Sequence, residues 1–251
     1  SDKINWIEID SEDNIWLATD GGGVFYENQT WRIYNENSLG LGLTSDNFLF
    51  VRKDAGGNIW FATDGGILKY DGLDWLHYHS GNVSITNNHI TCINFNGPEY
   101  WFGTSDGIIL FDGTIWTEYA IDIFDMGEEY IRSIGFNSSG YMVAGTKGGM
   151  VIYNGSAWEV KNTDNSDLPV NGIYYIEIDD EGNYKMGTEG GLVEFDGSVY
   201  SVMNNSNSGL SNNHIKHFTM EGEKIWFATE GGLISNSDQV EWNIFLSSFT
   251  P

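Results

Sequence analysis

Positive charge is scarce in this 251-residue chain, where 11 Lys and Arg stand against 36 Asp and Glu for a formal charge of −25. A surface this acidic repels nucleic acid and anionic membranes and leaves few side chains to hold phosphate, so polyanions are excluded as partners. A single cysteine, Cys92, rules out an intramolecular disulfide framework, and its place in an apolar run reads as a small buried filler. No apolar run reaches the length of a membrane span, no export signal or lipidation motif is present, and no stretch carries helical periodicity. Catalytic constellations are missing too. There is no phosphate loop, Cys-x-x-Cys or His-Glu-x-x-His, and no catalytic residue, metal or cofactor is assigned. The arginines are Arg32, Arg52 and Arg132, with Arg32 expected on an outer strand, so a carboxylate-clamping triad of the sialidase type cannot assemble. A pair of carboxylates for glycoside hydrolysis could be drawn from Asp46, Glu128 and Glu129, but among 36 acids such pairs arise by chance.

What is present is repetition. A threonine preceded by a small residue and followed three positions later by glycine recurs as Thr19, Thr63, Thr104, Thr146, Thr188 and Thr229, at intervals of 41 to 44 residues. Seven positions beyond it stands an aromatic (Tyr26, Tyr70, Phe111, Tyr153, Phe195), and twelve beyond stands another (Trp31, Trp75, Trp116, Trp158, Tyr200). The sixth copy departs, with Asn236 at the first of these positions and Trp242 one residue late.

One copy, 58–75, reads N-I-W-F-A-T-D-G-G-I-L-K-Y-D-G-L-D-W. Its I-W-F-A-T run of β-branched, aromatic and small residues, bounded by turn formers, favours a buried strand. Gly65-Gly66 turns the chain, a second strand runs to Tyr70, and Asp71-Gly72 marks a hairpin leading to a third. An apolar segment upstream of each copy supplies one more strand. A period near 42 residues carrying four antiparallel strands is a propeller blade. The expected fold is therefore all-β: one six-bladed propeller over 1–251, with blades at about 1–36, 44–80, 86–120, 127–162, 169–204 and 211–247. Each blade is complete, so the ring is expected to close by packing blade six on blade one with no strand exchanged between the termini.

The pattern N-x-W-x-[AG]-T-x-x-G-G-[IL]-x-x-[YF]-[DN]-G-x-x-W, preceded by N-x-x-I-x-x-I, resembles the two-component regulator propeller repeat of bacterial ligand-binding sensor regions and some secreted proteins. The resemblance covers essentially the whole chain and is far more specific for fold than for function. It implies a noncatalytic, extracytoplasmic recognition module, periplasmic or extracellular, either cut from a longer protein or standing alone, with no export signal in this sequence. Direct membrane insertion is not implied.

In a propeller, ligands meet the face built by the loops entering the inner strands. The entry position reads Asp2, Asp46, Asn88, Glu129, Asn171 and Asn213, either a ring of polar groups for a ligand or side chains that satisfy their own turns. Residues that break the repeat are better ligand candidates: Trp6, His89, Tyr130, Arg132, Tyr174 and His214, with Asp46 and Glu129 around them. Aromatic rings with polar edges suit a carbohydrate or other polar small molecule. A secreted glycan hydrolase or lyase, or a protein-docking scaffold, are the alternative readings. The acidic turn 179–183 has a superficial likeness to a calcium loop but lacks the spacing and the distal Glu.

Overall fold

The computed structural model describes residues 3–120, 130–179, 181–222, 224–237 and 241–245. The chain folds as an all-β propeller of six four-stranded antiparallel sheets, each built from four consecutive strands, so no strand is exchanged between the termini. The blades span 4–34, 48–78, 90–120, 133–161, 173–203 and 215–245. They divide into two compact units, blades one to three and blades four to six, with Ile131 belonging to the first.

The recurring threonine and glycine form a latch. Thr63 Oγ donates to the Gly66 carbonyl at 2.8 Å and accepts from Gly65 N–H at 3.0 Å. The same donation recurs from Thr19, Thr104, Thr146, Thr188 and Thr229. Gly66 has φ +128°, and a Cβ there would stand 2.4 Å from the Tyr78 carbonyl oxygen, so neither the conformation nor the space admits a side chain. The two repeated aromatics are register partners across the third and fourth strands (Tyr70 opposite Trp75, Phe111 opposite Trp116), with ring centroids 4.9 and 4.3 Å apart. The Asp-Gly turn between them is a four-residue loop, tied by Asp71 Oδ1 accepting from the N–H groups of Leu73 and Asp74.

Within each unit, successive blades pack the second strand of one against the first strand of the next. Trp16, Phe48, Val51, Phe61 and Leu68 form such a core in the first unit, and Met150, Ile173, Ile176, Met186 and Val193 in the second. Blade one's first strand, Ile4–Ile9, is unlike the rest. Ile4 and Ile7 are each 52% exposed, whereas their register equivalents in the other five blades lie between 0 and 5%. On the first strand of blade three, Ile90–Asn96, Cys92 is buried among apolar neighbours and its thiol is pushed up to about 12 by desolvation. Gly103 opposite makes the room, since a Cβ there would come within 2.5 Å of the Cys92 sulfur.

A single helical turn, Glu36–Leu39, follows blade one, capped by Asn35 in a reciprocal capping box and ended by Gly40 in the left-handed region. Four residues are too few to show a helical period, so hydrophobic patterning gave no sign of it.

Candidate functional site

The site column is built by a bulge. In five blades the register of the first strand slips by one residue beside the latch threonine, between Ile4 and Trp6, Phe48 and Phe50, Ile90 and Cys92, Ile173 and Tyr175, and Ile215 and His217. A bulge leaves one residue unpaired in the ladder and re-aims its side chain. The residues so placed are Asn5, Leu49, Thr91, Tyr174 and Lys216, and Arg132 holds the same position in blade four. The residues before them, Phe48, Ile90, Ile131, Ile173 and Ile215, are core in every blade but the first, and every blade differs at the bulge position.

In the first unit a polar chain runs along this edge. Lys3 Nζ lies 3.4 Å from Asp20, and Asn5 Nδ2 donates to Asp20 (2.8 Å) and to the Phe48 carbonyl of the next blade (2.8 Å). Asn47 Nδ2 donates to Asp64 at 2.6 Å, and the other Asp64 oxygen is 2.6 Å from His89 Nδ1. That last contact is within ion-pair distance but off the hydrogen-bond direction, because the same Asp64 oxygen has no aligned donor. His89 in turn meets Tyr130 edge-on, centroids 5.7 Å apart.

In the second unit three bulge-position residues of successive blades stack: the Arg132 guanidinium and the Lys216 ammonium each lie 4.4 Å from the centroid of the Tyr174 ring. Lys216 Nζ is 2.9 Å from Glu230, and His214 Nδ1 is 3.2 Å from the other Glu230 oxygen, again without hydrogen-bond alignment. The Lys216 hydrogen bond and charge hold the Glu230 carboxyl below the ordinary carboxylate range. Deeper on the same strands His217 packs on Tyr175 at 4.0 Å, and burial lowers its imidazole to about 4.

The structure thus brings His89 and Tyr130 together in one unit, and Arg132, Tyr174 and His214 together in the other. Trp6 lies on the strand next to the bulge and stacks on Phe50 at 4.0 Å. Asp46 accepts the Glu36 N–H at 2.8 Å and so ties down its own loop. Its counterparts Asn88, Asn171 and Asn213 do the same to Ser80, Thr163 and Asn205, which is the turn-satisfying alternative for that position. Glu129, like Asp2, lies outside the described residues. Asp179 uses its carboxylate on the N–H groups of Glu181 and Asn183, the Asn183 amide and Lys185.

No protein-family model and no curated protein matches the chain. Solved structures do. The chain is similar to the extracellular domain of the hybrid two component system BT3049 from B. thetaiotaomicron, at 24% identity and a TM-score of 0.79, covering 97% of this chain and 34% of that one. It is also similar to the extracellular domain of the hybrid two component system BT4673 from the same organism (18% identity, TM-score 0.76, covering 98% and 36%). A third likeness is to virginiamycin B lyase from Staphylococcus aureus (12% identity, TM-score 0.75, covering 98% and 84%). The chain spans about a third of the length of the two sensor domains, 34% and 36%. Likenesses at such identities establish the propeller, a fold that hosts many chemistries.

The residues that sequence reasoning missed are Asp20, Asp64 and Glu230, the acids that anchor both polar groups. All three directly follow the latch threonine, where the six copies read Asp20, Asp64, Ser105, Lys147, Glu189 and Glu230. That mixture of charge at one repeat position was the available signal.

Proposed function

We propose that this chain is a noncatalytic recognition module of the kind bacterial sensor proteins carry outside the cytoplasm, and that it binds a carbohydrate or other polar small molecule at the bulge edge. The observation that carries the reading is the bulge column itself. A repeat protein keeps the same residues in every blade where folding needs them, as the Thr–Gly latch does. At the bulge the six copies read Asn5, Leu49, Thr91, Arg132, Tyr174 and Lys216. Residues that differ from blade to blade at one geometric position suit an asymmetric ligand. The likeness to extracellular domains of sensor systems supports the sensor setting. The charge of −25 disfavours nucleic acid as the partner.

The test is a glycan array on the isolated chain, followed by calorimetric titration of a hit against the parent, His89→Ala and Tyr174→Ala, each first shown to be folded by circular dichroism. Affinity on the order of micromolar to millimolar is expected for a small polar ligand held by a few hydrogen bonds. At least one variant should weaken binding tenfold or more. Equal affinities in all three would place the site elsewhere.

A further inference from the structure

Arg132 stands out for a buried donor that has no acceptor among the described residues. Several of the chain's basic side chains have a carboxylate within ion-pair distance. Arg32 has Glu27 at 3.5 Å. Lys3, Lys161, Lys185 and Lys216 are paired as well. Among the described residues, Arg132 has neither an ion pair nor a hydrogen bond from its guanidinium, and its Nη1 is buried with no acceptor. Its one contact of note is the Tyr174 ring, 4.4 Å away.

Its neighbours sharpen the point. The ring of Tyr174 has a cation at 4.4 Å from each of the flanking blades, which weakens any reading of Tyr174 as an open platform for stacking a sugar. Lys216 is already neutralised by Glu230 at 2.9 Å. Of the two cations on the Tyr174 ring, Arg132 is therefore the one whose guanidinium has neither a carboxylate nor an acceptor among the described residues, and it stands at the position equivalent to the bulge in the other blades. A buried donor without an acceptor is a rare feature that asks for an explanation, and guanidinium N–H groups in a fixed planar fork match a carboxylate.

We infer that the ligand of this edge carries a carboxylate, held by Arg132 with Tyr174 and Lys216 beside it, as a uronic acid or another small carboxylated sugar would. This rests on the recognition reading above and narrows its ligand class. It departs from what net charge alone suggests, because an acidic protein repels anions at long range. Screening at physiological ionic strength confines that repulsion to roughly 8 Å, so contact at one unpaired arginine decides.

The experiment titrates the intact chain calorimetrically with three probes that share a ring: glucuronate, its methyl ester and glucose. Glucuronate is expected to bind at least tenfold more tightly than the ester or glucose. Arg132→Met should abolish that difference, and Arg132→Lys should restore part of it, provided circular dichroism shows both variants folded. Should Arg132→Met fail to fold, Lys216→Met and the ester comparison on the parent still decide, since neither needs Arg132 replaced. Equal binding of the three probes, or a glucuronate preference that survives Arg132→Met, overturns the carboxylate inference and leaves the recognition reading standing. Neutral array hits without any carboxylate binder do the same. Failure of every neutral and acidic glycan to bind overturns both.

Discussion

Asp54 and Asp10 hold one repeat position in successive blades, yet they carry different burdens. Asp54, 7% exposed, accepts from the Asn58 N–H (2.8 Å), the Asn58 amide (2.7 Å) and the Trp60 indole (2.8 Å). Asp10 accepts from the N–H groups of Glu12 and Asn14 and from the Asn14 amide, while the Trp16 indole in its blade has no acceptor among the described residues. Asp10→Ala frees turn donors that water reaches, at a cost of about 1 kcal/mol. Asp54→Ala does the same and also strands the Trp60 N–H, 1% exposed, which adds about 1–3 kcal/mol. For chains of this size each kcal/mol moves the melting temperature by about 2–4 °C. Thermal melts followed by circular dichroism at pH 7 should therefore place Asp10→Ala about 2–4 °C below the parent, and Asp54→Ala roughly 5–15 °C below it. Adding Trp60→Phe removes the donor, so in that background the cost of Asp54→Ala should shrink toward that of Asp10→Ala. If Asp54→Ala costs no more than Asp10→Ala, or if its cost is unchanged beside Trp60→Phe, the indole bond is not what separates them. The same geometry sets a pH response. Burial alone would raise the Asp54 carboxyl, but the bonds from Asn58 and Trp60 outweigh it and hold it below 3.8. Its contribution is therefore complete above that value and is lost as the pH falls through the folded-state value.

The remaining predictions use the same chain. Thr63→Val keeps the shape but leaves the Gly65 N–H and the Gly66 carbonyl without the hydroxyl, and should cost about 1–3 kcal/mol in urea unfolding, most of which Thr63→Ser recovers. His217, partly buried and lowered by desolvation to about 4 from 6.5, stays neutral when folded while the unfolded chain takes up a proton. Stability should accordingly fall as the pH drops from about 6.5 to 4, and in His217→Phe the melting temperature across that window should be flatter. Ile7→Asp should change the unfolding midpoint little, by about 0.5 kcal/mol. Ile93→Asp at the equivalent position, 1% exposed, should cost about 4 kcal/mol or prevent folding. Similar costs for the two would mean that blade one's first strand is covered in solution.

Much of the fold was legible because it repeats. The latch threonine and the glycine three residues on do the same work in each blade, so one reading of Thr63 and Gly66 served six times, and the Asp-Gly and Asn-Gly dipeptides marked the hairpins. The site was only half legible. Residues that broke the repeat, Arg132, Tyr174 and His214, do lie together, because they stand at or beside the start of the first strand in successive blades. The acids that organise them were hidden by the motif, since Asp64 and Glu230 sit at a turn position where a polar residue needs no explanation. Asp46 shows the converse difficulty: a polar residue repeated at the entry to the inner strand looks the same in sequence whether it faces a ligand or caps its own loop. Distinguishing those requires the partner, here the Glu36 N–H. The helical turn 36–39 was beyond any periodicity argument.

The buried cysteine has a practical consequence. With its thiol near 12 and its sulfur packed against Gly103, Cys92 holds only a trace of thiolate at neutral pH and offers reagents no approach. The chain therefore comes with a chemically silent background. A cysteine introduced at an exposed edge position such as Tyr130 (50% exposed) would take a maleimide dye at one place only, with no need to remove the native thiol. A fluorophore there would sit beside His89 and report ligand arrival at the first unit's polar chain. A second chain labelled near Lys216 would report arrival at the other, and the two signals would separate the two edges without a structure of any complex.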